Sequence, residues 1–337
     1  MPTEDDLRTA MNEMARSTDP LPPTGVLHLA HRRRTRRRLA VVTAAAAAVL
    51  AVPVAITVLG PDHRADRPAA GTALPGDARQ ALRDSVTALA AGDYTFTRSG
   101  ASDVADIRQG VVHLPDSVLI EHSDTFAMAR VGPHFYLKYL LDANPELRAQ
   151  LLGYYRKHLS GAQLRSVEQS YARLDGEHWV AADEKKLIAA AAIEEQSGLD
   201  SMARLPDARR PDATGAGTLI AAVTSAQRSG TVITGTLDAT GKDPELQKLF
   251  NDPTYLYGVG AKAMPYRAVL DDQGRLTEFT VSMPDQRMAS QPAEPITPQP
   301  PLVIRISRYG QTGVQPAPAT SGEVTAQDYE LLSTDTD

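Results

Sequence analysis

The chain has 337 residues, 42% of them hydrophobic and 23% charged, with 35 Lys+Arg, 41 Asp+Glu and no Cys. This composition supports a packed core and rules out wholesale disorder. The absence of Cys excludes a disulfide framework, a thiolate metal site, a cysteine nucleophile and a lipid anchor carried on cysteine, and the net charge of −6 argues against a general nucleic-acid binder.

The charge is unevenly spread. Before Pro61 stand 8 Arg, no Lys and 5 acidic residues, net +3; the other 27 basic and 36 acidic residues make −9. Such asymmetry points to two environments.

Residues 1–38 read as a short cytoplasmic segment. Thr3 with Asp6 makes a capping box, and Leu7, Ala10, Met11 and Met14 fall on one helical face. The helix Thr3–Arg16 is either an amphipathic helix on the membrane surface or a docking helix for a cytoplasmic protein partner. Asp19-Pro20-Leu21-Pro22-Pro23 ends it.

Six arginines between Arg32 and Arg38 then abut Leu39–Gly60, a run with no charge and nothing more polar than Thr43 and Thr57. About 20 helical residues cross a ~30 Å hydrocarbon layer, and the flanking arginines place the N-terminus inside. The segment reads as a transmembrane anchor at the cell membrane. It exceeds the 7–15-residue core usual for a cleaved signal peptide. As a nucleic-acid patch, the Arg run is explained less well than by topology. Residues 61–76, rich in Pro, Ala and Gly, read as a flexible stalk.

Beyond the stalk, Asp77–Ala91 reads as a helix capped by Asp77 and stopped by Gly92. The period then changes to two: Tyr94 and Phe96 alternate with Thr95 and Thr97. Val104–His113, Ser117–His122, Thr125–Val131 and His134–Leu140 follow as short strands separated by turn residues, which predicts an antiparallel meander. Helices are expected over Asn144–Leu159, with Pro145 in the first position, and over Gly161–Leu174, Asp183–Gln196, Gly215–Gln227 and Asp243–Asn251. Strands are expected at Glu177–Val180, Thr231–Ala239, Pro265–Leu270, Leu276–Met283 and Leu302–Tyr309. Asp271-Asp272-Gln273-Gly274 reads as a hairpin turn, and Pro284–Pro301, with six prolines, as an extended loop. The acidic end, 321–337, reads as a fraying tail. Strands and helices in runs, not alternation, predict an α+β ectodomain over 77–320.

A search for chemistry nominates no catalytic, cofactor-binding or metal-ligating residue. No His pair has metal-ligand spacing and there is no nucleophile elbow. Gly258-Val259-Gly260 lacks the helix of a dinucleotide site, and Gly215-Ala216-Gly217 opens a helix without a P-loop Lys. Glu121, His122 and Asp124 form the tightest polar cluster, but on a strand Glu121 and His122 point to opposite faces, so the group reads as a solvated face. Trp179 reads as a packing anchor.

The order of pieces resembles the LppX/LprG-type lipoproteins of actinobacteria, related in architecture to the periplasmic lipoprotein carrier LolA. The residues that carry the resemblance are the helix Asp77–Ala91 followed by Tyr94-Thr95-Phe96; His178-Trp179-Val180; a helix ending near Gln227 that leads into Thr231–Leu237; the hairpin from Tyr266 to Leu276 with its Asp271-x-x-Gly274-Arg275; and Ile304–Gly310 followed by Gln315-Pro316-Ala317-Pro318. The resemblance implies a strongly bent antiparallel sheet, a half-barrel, with helices on its concave face and an apolar cavity for acyl chains. The chain departs from the family in lacking the acylated Cys and in its longer insertion over Asn144–Leu174. The resemblance implies a membrane-anchored, non-enzymatic module for a lipid or other apolar ligand, with no individual ligand-binding residue assigned. Two alternatives stand beside it: an envelope-sensing regulator laid out like a membrane-bound anti-sigma factor, and a hydrolase.

Overall fold

The computed structural model describes residues 75–100, 107–191, 205–250, 257–284 and 299–334. The expected cytoplasmic helix, the Leu39–Gly60 anchor, nearly all of the 61–76 stalk and most of the Pro284–Pro301 loop lie outside these residues. Among the described residues no helix is long and apolar enough to cross a membrane.

Among the described residues, twelve strands form one large, open, curled sheet. They are β1 (Asp93–Ser99), β2 (Gln109–His113), β3 (Ser117–Glu121), β4 (Ala127–Val131), β5 (His134–Lys138), β6 (Trp179–Ala182), β7 (Val223–Ser229), β8 (Val232–Leu237), β9 (Met264–Leu270), β10 (Leu276–Val281), β11 (Leu302–Ser307) and β12 (Thr320–Glu323). Their spatial order is 12-6-5-4-3-2-1-11-10-9-8-7. Every pairing is antiparallel except β12 on β6. The fold is α+β, and the expected meander is β1 to β5.

Period-two burial explains why the sheet has one dry face. Tyr94 and Phe96 on β1, Val118 and Ile120 on β3, and Ile304 and Ile306 on β11 are all buried. The residues between them face the other way. Cross-strand register lines the buried side chains into rows. One runs Val180, Leu137, Met128, Ile120, Gly110, Phe96, Ile306. A second runs Arg98, Ile304, Phe279, Ala268, Ile233. Gly110 is required in the first row: a Cβ there would sit 2.4 Å from the Phe96 ring and 2.7 Å from Ile120.

Helices bury their apolar sides in the same core. Helix α1 (Pro75–Asp84) packs on β7. Helix α2 (Pro145–His158) starts as expected, with the Asn144 side chain accepting from the Glu146 and Leu147 amides and Pro145 in the first turn. Helix α3 (Gly161–Arg173) carries a capping box between Ser160 and Gln163. Helix α4 (Glu184–Ala191) follows β6, α5 (Ala216–Ala221) precedes β7, and α6 (Pro244–Phe250) follows β8.

Three expectations are corrected. The helix expected over Asp77–Ala91 divides, because the Ser85 carbonyl accepts from the Leu276 amide of β10 instead of continuing the helix. A 3-10 turn, Thr87–Ala91, follows it, ended by Gly92 at φ 63°. Asp77 lies inside the first turn, not at the cap.

The helix expected over Gly215–Gln227 stops at Ala221, and Val223–Ser229 is strand β7. Pairing with β8, reinforced by contacts among the Thr224, Ser225 and Thr236 hydroxyls, outweighs the helix propensity of the alanines.

The acidic end is also not frayed over its length. Residues Ala326–Thr334 form helix α7, packed on α4 and α3 with Leu331 and Leu332 buried. Asp328, fully buried, accepts from Arg173 at 2.6 and 2.8 Å and from the Thr325 amide at 2.6 Å. This ties the helix start to α3.

Candidate functional site

Strand β1 crosses the middle of the sheet and places a buried polar residue near each end of the dry face. At its start, the Tyr94 hydroxyl donates to the Pro211 carbonyl at 2.6 Å and accepts from the Ala213 amide at 2.9 Å. Tyr309, its ring centroid 6.4 Å away, donates to the Leu276 carbonyl at 2.7 Å. Asp212 accepts from the Thr214 amide and hydroxyl and, through its other oxygen, from the Gly217 amide at 2.8 Å. The start of α5, the Gly215-Ala216-Gly217 segment singled out in the sequence, is therefore filled by the chain's own carboxylate. Burial, with the charge of Asp212, pushes the Tyr94 hydroxyl far above its usual range.

The other end differs. Arg98 continues the Tyr94, Phe96 alternation onto the dry face and is only 7% exposed. His122 continues Val118 and Ile120 in the same way and is 3% exposed. The two strands are joined there through Arg108: the Arg98 amide donates to the Arg108 carbonyl at 2.7 Å, and the Arg108 amide to the Glu121 carbonyl at 2.8 Å.

The His122 ring stacks on Phe126, with centroids 4.3 Å apart and planes at 13°; Phe126 in turn meets Tyr139 edge-on at 5.2 Å. Neither ring nitrogen of His122 has a hydrogen-bond partner among the described residues. Burial, reinforced by the charge of Arg98, pushes this imidazole down to about 3, so it is neutral at pH 7.

The reading of His122 as solvated is corrected. Glu121 does point away, to accept from Gln109 at 2.5 Å on the open face, and Asp124 is exposed and paired with Arg108 at 2.7 Å. His122 itself lies in the core.

The open face carries polar ladders. Glu278 accepts from Arg267 and Arg305, each at 3.1 Å, and the Thr95 and Ser307 hydroxyls meet at 2.9 Å. A cavity of about 540 Å³ lies against this face, lined by Thr95, Thr97, Gln109, Leu119, Glu121 and Arg305 among others.

Two further clusters are local. Asp175, Glu177 and His178 bring three potential donor atoms within 4.8 Å. The group is an Asx turn into β6: Asp175 accepts from the Glu177 and His178 amides and meets His178 Nδ1 at 2.7 Å. Asp93 accepts from the Thr312 amide at 2.9 Å, with His113 at 3.4 Å, where the chain leaving β11 crosses β1.

Among the described residues, the carboxylates that shift all shift down. Burial pushes Asp93, Asp175 and Asp271 up, but hydrogen bonds from Thr312, His178 and Arg275 respectively outweigh it. Backbone hydrogen bonds from Arg210 and Arg209 pull Asp207 down. A general acid requires the opposite shift.

No protein-family model matches the chain, and no curated protein matches it. Among solved structures, the crystal structure of the lipoprotein LppX of Mycobacterium tuberculosis matches with 12% sequence identity and a TM-score of 0.31, over 71% of this chain and 99% of that one.

Proposed function

We propose that the domain binds a lipid or other apolar molecule against the dry face of its sheet, as a non-enzymatic carrier or binding module. Residues Leu39–Gly60 would hold it at the cell membrane, with the domain on the extracytoplasmic side. The observation that carries this reading is the continuity of the dry face. Rows of apolar side chains run from Val180 on β6 to Ile233 on β8, and Arg98 and His122 introduce polar groups at one end of it. The sheet is open, since β12 and β7 end the strand order without pairing to each other. Helices pack toward its two ends, α1 on β7 and α7 with α4 and α3 near β6. Among the described residues, Asp175, Asp207 and Asp271 serve turns and Asp93 holds Thr312; their lowered carboxyls are not poised for acid catalysis.

Native mass spectrometry of the full chain, followed by organic extraction, tests the reading. The expected result is a co-purifying apolar species of discrete mass. A protein that stays empty when offered a panel of acyl lipids would overturn it. For the anchor, the expectation is retention in the membrane after carbonate washing, with a C-terminal tag open to protease outside the cell. Release of the chain into the soluble fraction would overturn that part alone.

A further inference from the structure

We infer that the Arg98–His122 end of the dry face is a binding site for an acidic headgroup, a carboxylate or a phosphate ester, carried on an acyl chain that runs inward along Phe96 and Ile120. This rests on the reading of the dry face as a ligand site and names the chemistry that such a ligand would bring.

The geometry carries the argument. His122 is buried, and its orientation is fixed by the stack on Phe126. In its neutral form one ring nitrogen donates and the other accepts, and neither is engaged by the described residues. A buried donor without an acceptor disfavours the fold, so native proteins rarely retain one without a reason. Arg98, two strands away on the same face, supplies a fixed positive charge within electrostatic reach of the imidazole.

An anionic oxygen between them would accept from the His122 N–H and be held by the guanidinium, which suits carboxylates and phosphates equally. The next residues inward on the two strands, Phe96 and Ile120, are both buried and apolar, so a headgroup seated here would direct its chain along the first row of the sheet. A free anion would leave that row unused. Beside this end of the face, Arg108 just before β2 and Asp124 in the β3–β4 turn are exposed and paired at 2.7 Å.

The test uses the full chain in amphipol, offered oleate, oleyl alcohol, lysophosphatidate and inorganic phosphate in turn, with bound species read by native mass spectrometry. Oleate and lysophosphatidate are expected to bind on the order of tenfold more tightly than oleyl alcohol, the worth of a charge-assisted hydrogen bond. His122→Phe and Arg98→Leu should each remove most of that preference, and circular dichroism spectra matching the wild type show that the variants are folded. In the unmodified chain, the ring resonances of His122 should move with oleate and not with oleyl alcohol.

Equal binding of oleate and oleyl alcohol, with His122 unmoved, would overturn the headgroup site and leave the apolar reading standing. Binding of inorganic phosphate that moves His122 as strongly as oleate does would overturn the acyl part. If no acyl compound binds, both readings fall.

Discussion

The two ends of β1 present the same problem and solve it differently. Tyr94 and Arg98 lie four residues apart on one face, about 13 Å along the strand, and each puts polar atoms into an apolar layer. Around Tyr94 the hydrogen bonds close: its hydroxyl both donates and accepts, Tyr309 reaches a carbonyl, and the Asp212 carboxylate takes three hydrogen bonds from the start of α5. Around Arg98 the neighbouring His122 is as deeply buried but has both ring nitrogens unengaged among the described residues. One end is built as structure. The other retains an unsatisfied group at a cost to stability, the pattern expected where a site is built for something besides folding.

The largest effect should come from breaking the satisfied end. Asp212→Ala removes three hydrogen bonds and leaves the Gly217 amide and the Thr214 groups without their acceptor. At about 1 kcal/mol each, the expected loss is roughly 3 kcal/mol. Chemical denaturation measures it. A loss below about 1 kcal/mol would mean that the Tyr94 end is not the rigid one.

Acid separates the two ends next. The folded His122 titrates at about 3, against about 6.5 in the unfolded chain. Between these values the unfolded state binds a proton that the folded state does not, so stability is present above pH 6.5 and falls as pH drops toward 3. From pH 7 to pH 4.5 the wild type should lose on the order of 2–3 kcal/mol relative to His122→Phe, which lacks the group. The difference cancels what the lowered carboxylates contribute in both proteins. Parallel pH profiles for the two would show that His122 is not held neutral. At the opposite end, Tyr94→Phe should cost about 1–2 kcal/mol at every pH in this range, because it orphans the Pro211 carbonyl and the Ala213 amide without changing any charge.

Much of the architecture was legible in the sequence because it rests on local signals. Period-two alternation from Tyr94 to Leu140 gave the meander, Asn144-Pro145 gave the start of α2, and Asp271–Gly274 gave the β9–β10 hairpin. What escaped depends on partners distant in the chain. Val223–Ser229 follows an alanine-rich turn of helix and becomes a strand only because β8 is there to pair with it. Helix α7 is held by Arg173, 155 positions before Asp328. The candidate site is hidden for a subtler reason. Chain position groups His122 with Glu121 and Asp124, whereas strand geometry groups it with Val118 and Ile120, and groups Arg98 with Tyr94 and Phe96. Extending each inward register by one step would have placed both polar residues on the dry face, though not shown that His122 lacks a partner.

The smallest expected effect is also the one of unusual sign. Replacing a buried, hydrogen-bonded polar side chain by an apolar one normally destabilises, as for Tyr94. At His122 there is no bond to lose among the described residues. Phenylalanine keeps the ring and its stack on Phe126, and it removes two nitrogens that are buried without partners. At pH 7, without ligand, His122→Phe should therefore be neutral or more stable than wild type by up to about 1 kcal/mol. Differential scanning calorimetry of the delipidated chain reads this as an unchanged or raised Tm. Saturating oleate should then stabilise the wild type more than the variant, because a ligand that binds only the folded state adds stability that grows with the logarithm of its affinity. A clear drop in Tm for the ligand-free variant would show that His122 is bonded within the fold after all, and the two ends of β1 would then differ in residue type alone.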